Sequence, residues 1–178
     1  MPKVSVILPF YNASHTLNDA IKSIANQSLE DFECFLIDNN STDSGRAIAL
    51  RWVTKDNRFK LLHEKRQGVA YASEKGSKAC TSSLIARMDA DDISMQNRLK
   101  KQYQFLQTHQ QTGAVGGLAE FGGDARKAAG IKRFVDWNNS IQKPEQIVMN
   151  QFIETPLINP TAMWRKATAT KFGGYRHG

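Results

Sequence analysis

The chain has 178 residues, of which 40% are hydrophobic and 23% charged, a composition typical of one globular domain with its own core. No apolar stretch approaches the roughly 20 residues that cross a bilayer, so no membrane span is predicted. The net charge is +7, but Lys and Arg are scattered singly, without a basic helix and interleaved aromatics, so the sequence predicts no nucleic-acid partner.

Four strand patterns, each followed by a helix pattern, fill the first part of the chain. Each strand pattern is a short apolar run, and the runs are VSVILPF (4–10), ECFLID (33–38), FKLLHE (59–64) and SLIARMD (83–89). Apolar residues at helical spacing predict helices at about 17–25, 47–51, 69–79 and 94–109. This alternation predicts right-handed crossovers and an α/β fold, a three-layer sandwich with a mostly parallel central sheet.

The pattern changes after Gly113. A Gly-rich strand is predicted in AVGGLAEFGG, followed by an irregular stretch around KRFVDWNNS. A helix is predicted from Pro144 to about Phe152, because proline suits the first helical position. The segment NPTAMWRK is predicted to be a strand, and KATATKFGGY a short helix closed by two glycines. We therefore divide the domain at residues 112 and 113.

Polar and small residues follow all four predicted strands. In an open parallel sheet, ligands bind outside the carboxyl ends of the strands, where the connecting loops gather. The residues expected at this edge are Pro9, Tyr11, Asp38, Gly68 and the acidic cluster Asp89, Asp91 and Asp92.

The acidic cluster directly follows a strand pattern, although like charges placed so closely repel one another. If the strand continues, Asp89 and Asp91 lie on one side and could serve a single cation. Mg²⁺ and Mn²⁺ are commonly held by one or two carboxylates plus substrate phosphates. The alternative is a solvated loop in which Asp92 or Ser94 caps the next helix. Capping explains one or two of the acids but not three, so the sequence favours a metal and diphosphate site.

The other residues at this edge each allow two interpretations. Tyr11 could stack on a base or pack against the protein. Asp38 could contact a base or ribose, or form an Asx turn in NNSTD that starts the next helix. Gly68 could let a ligand approach the backbone, or serve only as a turn residue. The convergence of four loops on one edge favours a ligand site.

Five blocks of sequence occur in a characteristic order: VSVILPFYNASHTLNDAIKSIANQS, FECFLIDNNSTDSG, LIARMDADDISMQNRLKKQYQFL, AVGG and NPTAMWRKATATKFGGYR. Together they resemble the nucleotide-diphospho-sugar transferases of the GT-A fold, specifically the inverting family 2 glycosyltransferases. The resemblance implies that Asp89 binds the ribose or diphosphate and that Asp91, with Asp89 as a second candidate, binds the metal. The remaining nucleotide-binding residues that it implies are Pro9, Tyr11 and Asp38, and Gly68 is a further candidate from its place in the third loop.

The resemblance also implies a reaction. A sugar would pass with inversion from a nucleoside-diphosphate sugar, a UDP-sugar by preference, to a hydroxyl of a glycan or lipid-linked acceptor, with Mn²⁺ or Mg²⁺ as cofactor. The pathway expected is cell-surface polysaccharide or glycan synthesis. Residues 1–112 would form the nucleotide-sugar half, and residues 113–178 the start of the acceptor-side half. With no apolar leader, a cytoplasmic location is expected, and the basic excess also suits peripheral association with the inner face of the membrane.

Two departures from the family pattern stand out. The third loop reads GVAYASEKG, with Ser73 and Glu74 where members often carry the Arg-Asn pair of GxxxARNxG. The family's acidic base usually lies shortly after the GGYR segment, so the base is expected beyond Gly178, in a longer enzyme. Neither Asp124 nor Asp136 is assigned that role.

Two alternatives to a glycosyltransferase remain open from the sequence. One is a domain that binds a nucleotide sugar without turnover. The other is a nucleotidyltransferase, which is disfavoured because LPFYNASHT lacks the glycines and basic residues that hold a triphosphate.

Overall fold

The computed structural model describes residues 1–124 and 126–175 and shows a central sheet of six strands. The strands are β1 (Val4–Phe10), β2 (Phe32–Asp38), β3 (Phe59–His63), β4 (Leu84–Arg87), β5 (Ala114–Val115) and β6 (Met163–Arg165). The helices are α1 (Leu17–Ala25), α2 (Gly45–Lys55), α3 (Val69–Ala79), α4 (Arg98–Thr108), α5 (Ala129–Ser140), α6 (Pro144–Asn150) and α7 (Lys166–Lys171). Within these described residues, no helix has the length and hydrophobicity needed to span a bilayer.

The sheet is mostly parallel. Its strand order is β3-β2-β1-β4-β6-β5, with β1 to β4 parallel and β6 antiparallel to both β4 and β5. The pairing of β1 with β2 runs from Val4 opposite Phe32 to Phe10 opposite Asp38. Because β6 pairs with β4, the last part of the chain belongs to the same sheet as the first.

Helices cover both faces of the sheet. One core lies between the sheet and helices α1, α2 and α4, and the second lies under α3. Helix α1 shows how the sequence produces this packing, since its buried residues recur at helical spacing and form one apolar stripe. These residues are Leu17, Ala20, Ile21 and Ile24. Strands β1 and β2 are buried throughout, as expected for strands covered on both faces. The structure thus confirms the predicted three-layer α/β sandwich.

The segment around the acidic cluster differs from the prediction. Strand β4 ends at Arg87 instead of residue 89, and α4 begins at Arg98 instead of about residue 94. The side chain of Gln27 stabilises the intervening loop, because it donates to the carbonyl of Met95 at 2.9 Å and accepts from the amide of Leu99 at 3.0 Å. Residue Asn97 precedes α4 without a side-chain cap, so the idea that Asp92 or Ser94 caps this helix is wrong.

The second half of the chain also differs from its sequence pattern. The stretch around KRFVDWNNS, predicted to be irregular, forms helix α5. The predicted Gly-rich strand is reduced to the two residues of β5, whereas the helix that begins at Pro144 is confirmed. The chain end at Gly178, beyond which the base was expected, lies outside the described residues.

Candidate functional site

The loops that follow β1 to β4 gather at one edge of the sheet, which we call the rim. They comprise residues 11–16, 39–44, 64–68 and 88–97, directly beyond the carboxyl ends of four adjacent parallel strands. The structure therefore brings the candidates from the sequence to one edge, as predicted. These candidates are Pro9, Tyr11, Asp38, Gly68, Asp89 and Asp91.

Hydrogen bonds join the loop after β1 to the loop after β2. The amide of Thr42 donates to Asn12 Oδ1 at 2.8 Å, and the amide of Asn12 donates to Ser41 Oγ at 3.2 Å. The amide of Ser14 donates to Asp43 Oδ2 at 2.7 Å. Asn12 adopts a φ of 48°, a conformation that Asn tolerates better than most residues. The NNSTD segment thus cross-links two loops, a role that sequence reasoning missed.

Tyr11 and Pro9 differ in their access to solvent. Tyr11 is 51% exposed, so about half of its surface is accessible to a ligand. Pro9 lies inside β1, buried and opposite Ile37 of β2. Pro9 would therefore support a binding site from inside the sheet, whereas the side chain of Tyr11 would line it.

Asp38 is the last residue of β2, and other side chains almost enclose it. Its Oδ1 accepts the amide of Ser41 at 2.9 Å, and its Oδ2 accepts Arg46 Nη1 at 3.1 Å and lies 3.6 Å from His63 Nδ1. Burial alone would raise the pKa of Asp38, but the hydrogen bonds from Ser41 and Arg46 outweigh burial and lower that pKa. Asp38 is therefore fixed by an amide three residues further on and by an ion pair, whereas the Asx turn at the start of α2 is formed by Asp43, whose Oδ1 accepts the amide of Gly45 at 2.9 Å.

The third loop is organised by Asn39, a buried residue whose role sequence reasoning missed. Its Nδ2 donates to the carbonyls of Glu64 at 3.2 Å and Arg66 at 2.7 Å, and its Oδ1 accepts the amide of Gly68 at 2.9 Å. Gly68 has a φ of +133°, which favours glycine at this position. An amide side chain directly after a buried strand was the available signal, because such a group must find partners once it is buried.

The acidic loop presents two open carboxylates. Asp89 Oδ1 accepts Arg87 Nε at 2.8 Å, whereas Asp91 and Asp92 are exposed and their side chains form no hydrogen bond or ion pair with the described residues. Loss of surrounding water and the nearby charges of Asp91 and Asp89 raise the pKa of Asp92 to about 6. The part of this shift that comes from Asp91 and Asp89 reflects three carboxylates on one short loop, a concentration of negative charge that attracts cations.

The donor set fits a cation that a ligand helps to hold. Within residues 1–124 and 126–175, no cluster of three His, Cys, Asp or Glu side chains could bind a metal alone. Asp91, with Asp89 beside it, offers the one or two carboxylates that Mg²⁺ or Mn²⁺ commonly takes when substrate phosphates complete the coordination.

Arg87 is a second residue that sequence reasoning missed. It is the last residue of β4 and only 8% exposed, yet its guanidinium faces polar groups. Besides Asp89, Arg87 binds Ser73 of α3, with Nη1 3.0 Å from Oγ. A charged residue inside a predicted buried strand was the available signal, since buried charges are generally paired.

Two surface hollows lie away from the rim. One, of about 850 Å³, lies at the opposite edge of the sheet beside Lys3, Tyr103 and Lys166. The other, of about 810 Å³, adjoins Asn18 and Trp52 near α1 and α2. Neither hollow is lined by the exposed carboxylates of Asp91 and Asp92. The rim contains these carboxylates and is therefore the stronger candidate for an active site.

The sequence matches a known family along most of its length. The profile described as glycosyl transferase family 2 matches residues 5–171. EpsE of Bacillus subtilis (strain 168), assigned to the glycosyltransferases, is 34% identical over 178 residues, covering 98% of this chain and 60% of EpsE. The amylovoran biosynthesis glycosyltransferase AmsE of Erwinia amylovora is 27% identical, covering 97% of this chain and 64% of AmsE. The chain thus spans about three fifths of the length of these relatives.

Solved structures show the same fold. The mannosyltransferase PcManGT from Pyrobaculum calidifontis, in complex with GDP-Man and Mn²⁺, has a TM-score of 0.73 and 21% identity over 97% of this chain and 47% of its own. S. aureus TarS 1-349 in complex with UDP-GlcNAc has a TM-score of 0.71 and 19% identity over 98% of this chain and 48% of its own. These likenesses confirm the GT-A fold class, and the profile match over residues 5–171 shows that the chain belongs to glycosyl transferase family 2.

Proposed function

We propose that this chain carries the donor site of a metal-dependent glycosyltransferase that transfers a sugar from a nucleoside-diphosphate sugar with inversion. The observation that carries the proposal is the open carboxylate of Asp91 at the rim of a family 2 fold, next to Asp89. PcManGT is in complex with GDP-Man and Mn²⁺, and TarS with UDP-GlcNAc, which supports a nucleotide sugar as the donor here.

The acidic loop would bind the diphosphate end of the donor. Asp91 would hold Mn²⁺ or Mg²⁺, which supplies positive charge to the leaving diphosphate. Asp89, anchored by Arg87 through one oxygen, would accept hydrogen bonds from the ribose or help to hold the cation. Both roles use carboxylates that lie on one short loop, so the cation and the ribose would be bound close together.

The other rim loops would bind the nucleoside. Tyr11 would stack on the base through its exposed ring, and Asp38 would contact the base or ribose edge after displacement of Arg46. Pro9 would support the site from inside β1, and Gly68 would let the ligand approach the third loop. The hydrogen bonds of Asn39 support this arrangement, because they hold the third loop against β2 before any ligand arrives.

The two parts of the chain would have different tasks. Residues 1–112 would bind the donor, and residues from 113 onward would begin the surface that receives a glycan or lipid-linked acceptor. AmsE is named for amylovoran biosynthesis, which supports polysaccharide synthesis as the pathway. The proposed location is the cytoplasm, at the inner membrane face where a lipid-linked acceptor would lie. No residue of this chain is proposed as the base.

The proposal is tested by titrating the chain calorimetrically with UDP-, GDP- and dTDP-sugars, each with Mn²⁺ and with a chelator. We expect one class of nucleotide to bind, with an affinity at least about tenfold higher when Mn²⁺ is present. The reason is that the diphosphate oxygens complete the coordination of the cation held by the protein. Binding of none of them, or equal affinity with and without Mn²⁺, would contradict the proposal.

Turnover needs a separate measurement. The full-length protein should release nucleoside diphosphate when donor and acceptor are both present, and the anomeric configuration of the product shows whether inversion occurs. Donor binding without release would favour a non-catalytic nucleotide-sugar-binding domain. Consumption of a nucleoside triphosphate with a sugar phosphate would favour a nucleotidyltransferase.

A further inference from the structure

The guanidinium of Arg87 connects two segments of the rim. Arg87 ends β4, next to Ile7 of β1, and its side chain is 10% exposed. Its Nε donates to Asp89 Oδ1 at 2.8 Å, and its Nη1 donates to Ser73 Oγ at 3.0 Å. One buried cation therefore links the start of the acidic loop to helix α3, which follows the third loop.

This contact constrains the direction of the Asp89 carboxylate. Arg87 Nε makes a single charge-assisted hydrogen bond to Asp89 Oδ1, and Ser73 holds the guanidinium itself, so the bonded oxygen is kept at one place. Arg87 takes Oδ1, and Oδ2 has no hydrogen-bond partner among the described residues, while 28% of the Asp89 side chain is exposed. The free oxygen is therefore pre-oriented to accept hydrogen bonds from a ligand that carries hydroxyl groups.

Ser73 connects Arg87 with helix α3. Ser73 is fully buried, and its Oγ lies 3.0 Å from Arg87 Nη1. The guanidinium is thus held from two sides, by Asp89 of the acidic loop and by Ser73 of α3.

Tyr175 packs against the same part of the fold. Its ring packs on the core under α3 that includes Ile7 and Ile85. Burial raises the pKa of Tyr175, whereas nearby Arg87 and Ser73 act in the opposite direction. Arg87 therefore lies where the acidic loop, α3 and the Tyr175 side chain come together.

We propose that Arg87 is a positioning residue of the donor site, which holds the Asp89 carboxylate toward the ribose hydroxyls of a nucleoside diphosphate. This inference rests on the proposed function, because it requires a nucleotide at the rim. A purely structural role is the competing explanation. Buried ion pairs can often be replaced by apolar residues without loss of stability, so a structural role alone gives little reason for an arginine at this position.

The test compares ribose recognition in the intact chain and in Arg87→Leu. The first probe is either UDP or GDP, whichever binds more tightly. The second is the 2′,3′-dideoxy analogue of that nucleotide, and each is measured with Mn²⁺. The unmodified chain should bind the ribonucleotide about tenfold or more tightly than the analogue, because a carboxylate that accepts from hydroxyl groups is left unpaired by their removal. In Arg87→Leu this ratio should fall to about twofold or less, because Asp89 is no longer oriented.

Three further variants separate positioning from folding. Asp89→Asn should lose the ribose preference as Arg87→Leu does, and the double variant should show no additional loss, because the two residues act as one unit. Adding Ser73→Arg to Arg87→Leu should restore part of the ratio, since it returns a guanidinium to the cluster. Arg51→Leu, a change of the same type at an exposed position of α2, should leave the ratio unchanged.

The outcomes distinguish this inference from the proposed function. If the unmodified chain binds none of the UDP-, GDP- and dTDP-sugars, the proposed function fails, and this inference fails with it, whereas binding of the deoxyribose nucleotide alone overturns only this inference. If the chain binds but the ribose preference is unchanged in a folded Arg87→Leu, only this inference is overturned. Should Arg87→Leu not fold, Arg87→Lys and Ser73→Ala provide the same comparison, and an unchanged ratio in both would overturn the inference.

Discussion

Asp38 and Arg46 form an ion pair at the rim, with Asp38 Oδ2 3.1 Å from Arg46 Nη1. The pair is asymmetric, because the side chain of Asp38 is 2% exposed and that of Arg46 is 49% exposed. Asp38 also accepts the amide of Ser41, so its carboxylate fixes the turn between β2 and α2. Asp38 thus has a structural role before any ligand binds, and Arg46 partly covers it from solvent.

Asp38→Ala should therefore lower stability as well as nucleotide affinity. The substitution leaves the Ser41 amide without its partner and removes a buried carboxylate with charge-assisted hydrogen bonds, which are worth about 2 kcal/mol. The half-exposed pair with Arg46 should contribute little of this. Urea unfolding measures the loss, and Asp31→Ala, at an exposed aspartate before β2, should change stability by about 0.5 kcal/mol or less. Equal stabilities of the two variants would contradict a structural role for Asp38.

Asp91→Asn should reduce nucleoside-diphosphate affinity only when a divalent cation is present. The exposed Asp91 side chain makes no hydrogen bond or ion pair with the described residues, so its loss should act through the cation and not through the fold. The expected loss with Mn²⁺ is at least the roughly tenfold typical of changes near a metal. Calorimetric titrations with Mn²⁺ and with chelator measure it. Asp92→Asn removes the same charge one residue away and is the control, and an equal loss in both variants would show that charge alone matters.

The regular elements of the first half were predictable because their periodicity is local. The apolar spacing of α1 and the continuous apolar runs of β1 and β2 follow directly from burial on one stripe or on both faces. The boundaries around residues 88–97 were not predictable. They depend on Gln27, whose side chain bonds to residues nearly 70 positions further along the chain.

Helix α5 was missed for a different reason. Ile131, Phe134 and Val135 lie at helical spacing, but this apolar stripe is short, and the structure buries only Asn138 of the helix and leaves Ile131 exposed. At the rim, topology predicts which loops meet, but not which side chains bind each other. The partners of Asn39 and Arg87 lie on other elements, so their roles become visible only in the folded chain.

Glu33 connects three strands at the edge of the sheet opposite the rim, and its substitution should change the pH dependence of stability. Its carboxylate accepts hydrogen bonds from Ser5 at 2.6 Å, from Lys60 at 2.8 Å and from the Thr81 hydroxyl at 2.7 Å. Burial alone would raise the pKa of Glu33, but these hydrogen bonds outweigh burial and lower the pKa from 4.5 to about 2.

A carboxyl group whose pKa is lower in the folded than in the unfolded chain stabilises the fold at pH values above its unfolded pKa. This contribution is lost as the pH falls toward the folded pKa. The stabilisation from Glu33 should be about 3 kcal/mol at neutral pH and should disappear between about pH 4.5 and 2. Glu33→Gln removes the titration, so the stability difference between the two proteins should shrink as the pH falls. Urea unfolding at a series of pH values measures this, and a constant difference would contradict the assignment.

Gly76→Ala should destabilise the fold although alanine favours helices. A Cβ at Gly76 would lie 2.7 Å from Ile37 Cδ1 and 3.0 Å from Ile7 Cγ2, so α3 would have to move away from the sheet. Overpacking typically costs about 1–3 kcal/mol, more than the gain of about 1 kcal/mol or less from helix propensity. Gly130→Ala in α5 is the matched control, because no atom lies within 4 Å of its added Cβ. Thermal unfolding should show a lower midpoint for the first variant and an equal or higher midpoint for the second.

Asn39→Asp should loosen the third loop of the rim. The substitution replaces the Asn39 side-chain NH₂ group, which donates to the carbonyls of Glu64 and Arg66, with a carboxylate oxygen. Two hydrogen bonds are thus replaced by repulsion between oxygen atoms. The other side-chain oxygen still accepts the amide of Gly68. The expected loss of stability is about 2–3 kcal/mol, because buried carbonyls are left unsatisfied. Hydrogen exchange should accelerate in residues 64–68, since these amides then open more often.

Asn40→Asp makes the same change at the next, exposed position, whose φ of 65° aspartate also tolerates, and it should leave both measurements unchanged. Faster exchange in both variants would show that negative charge at the rim, and not the lost donors, loosens the loop.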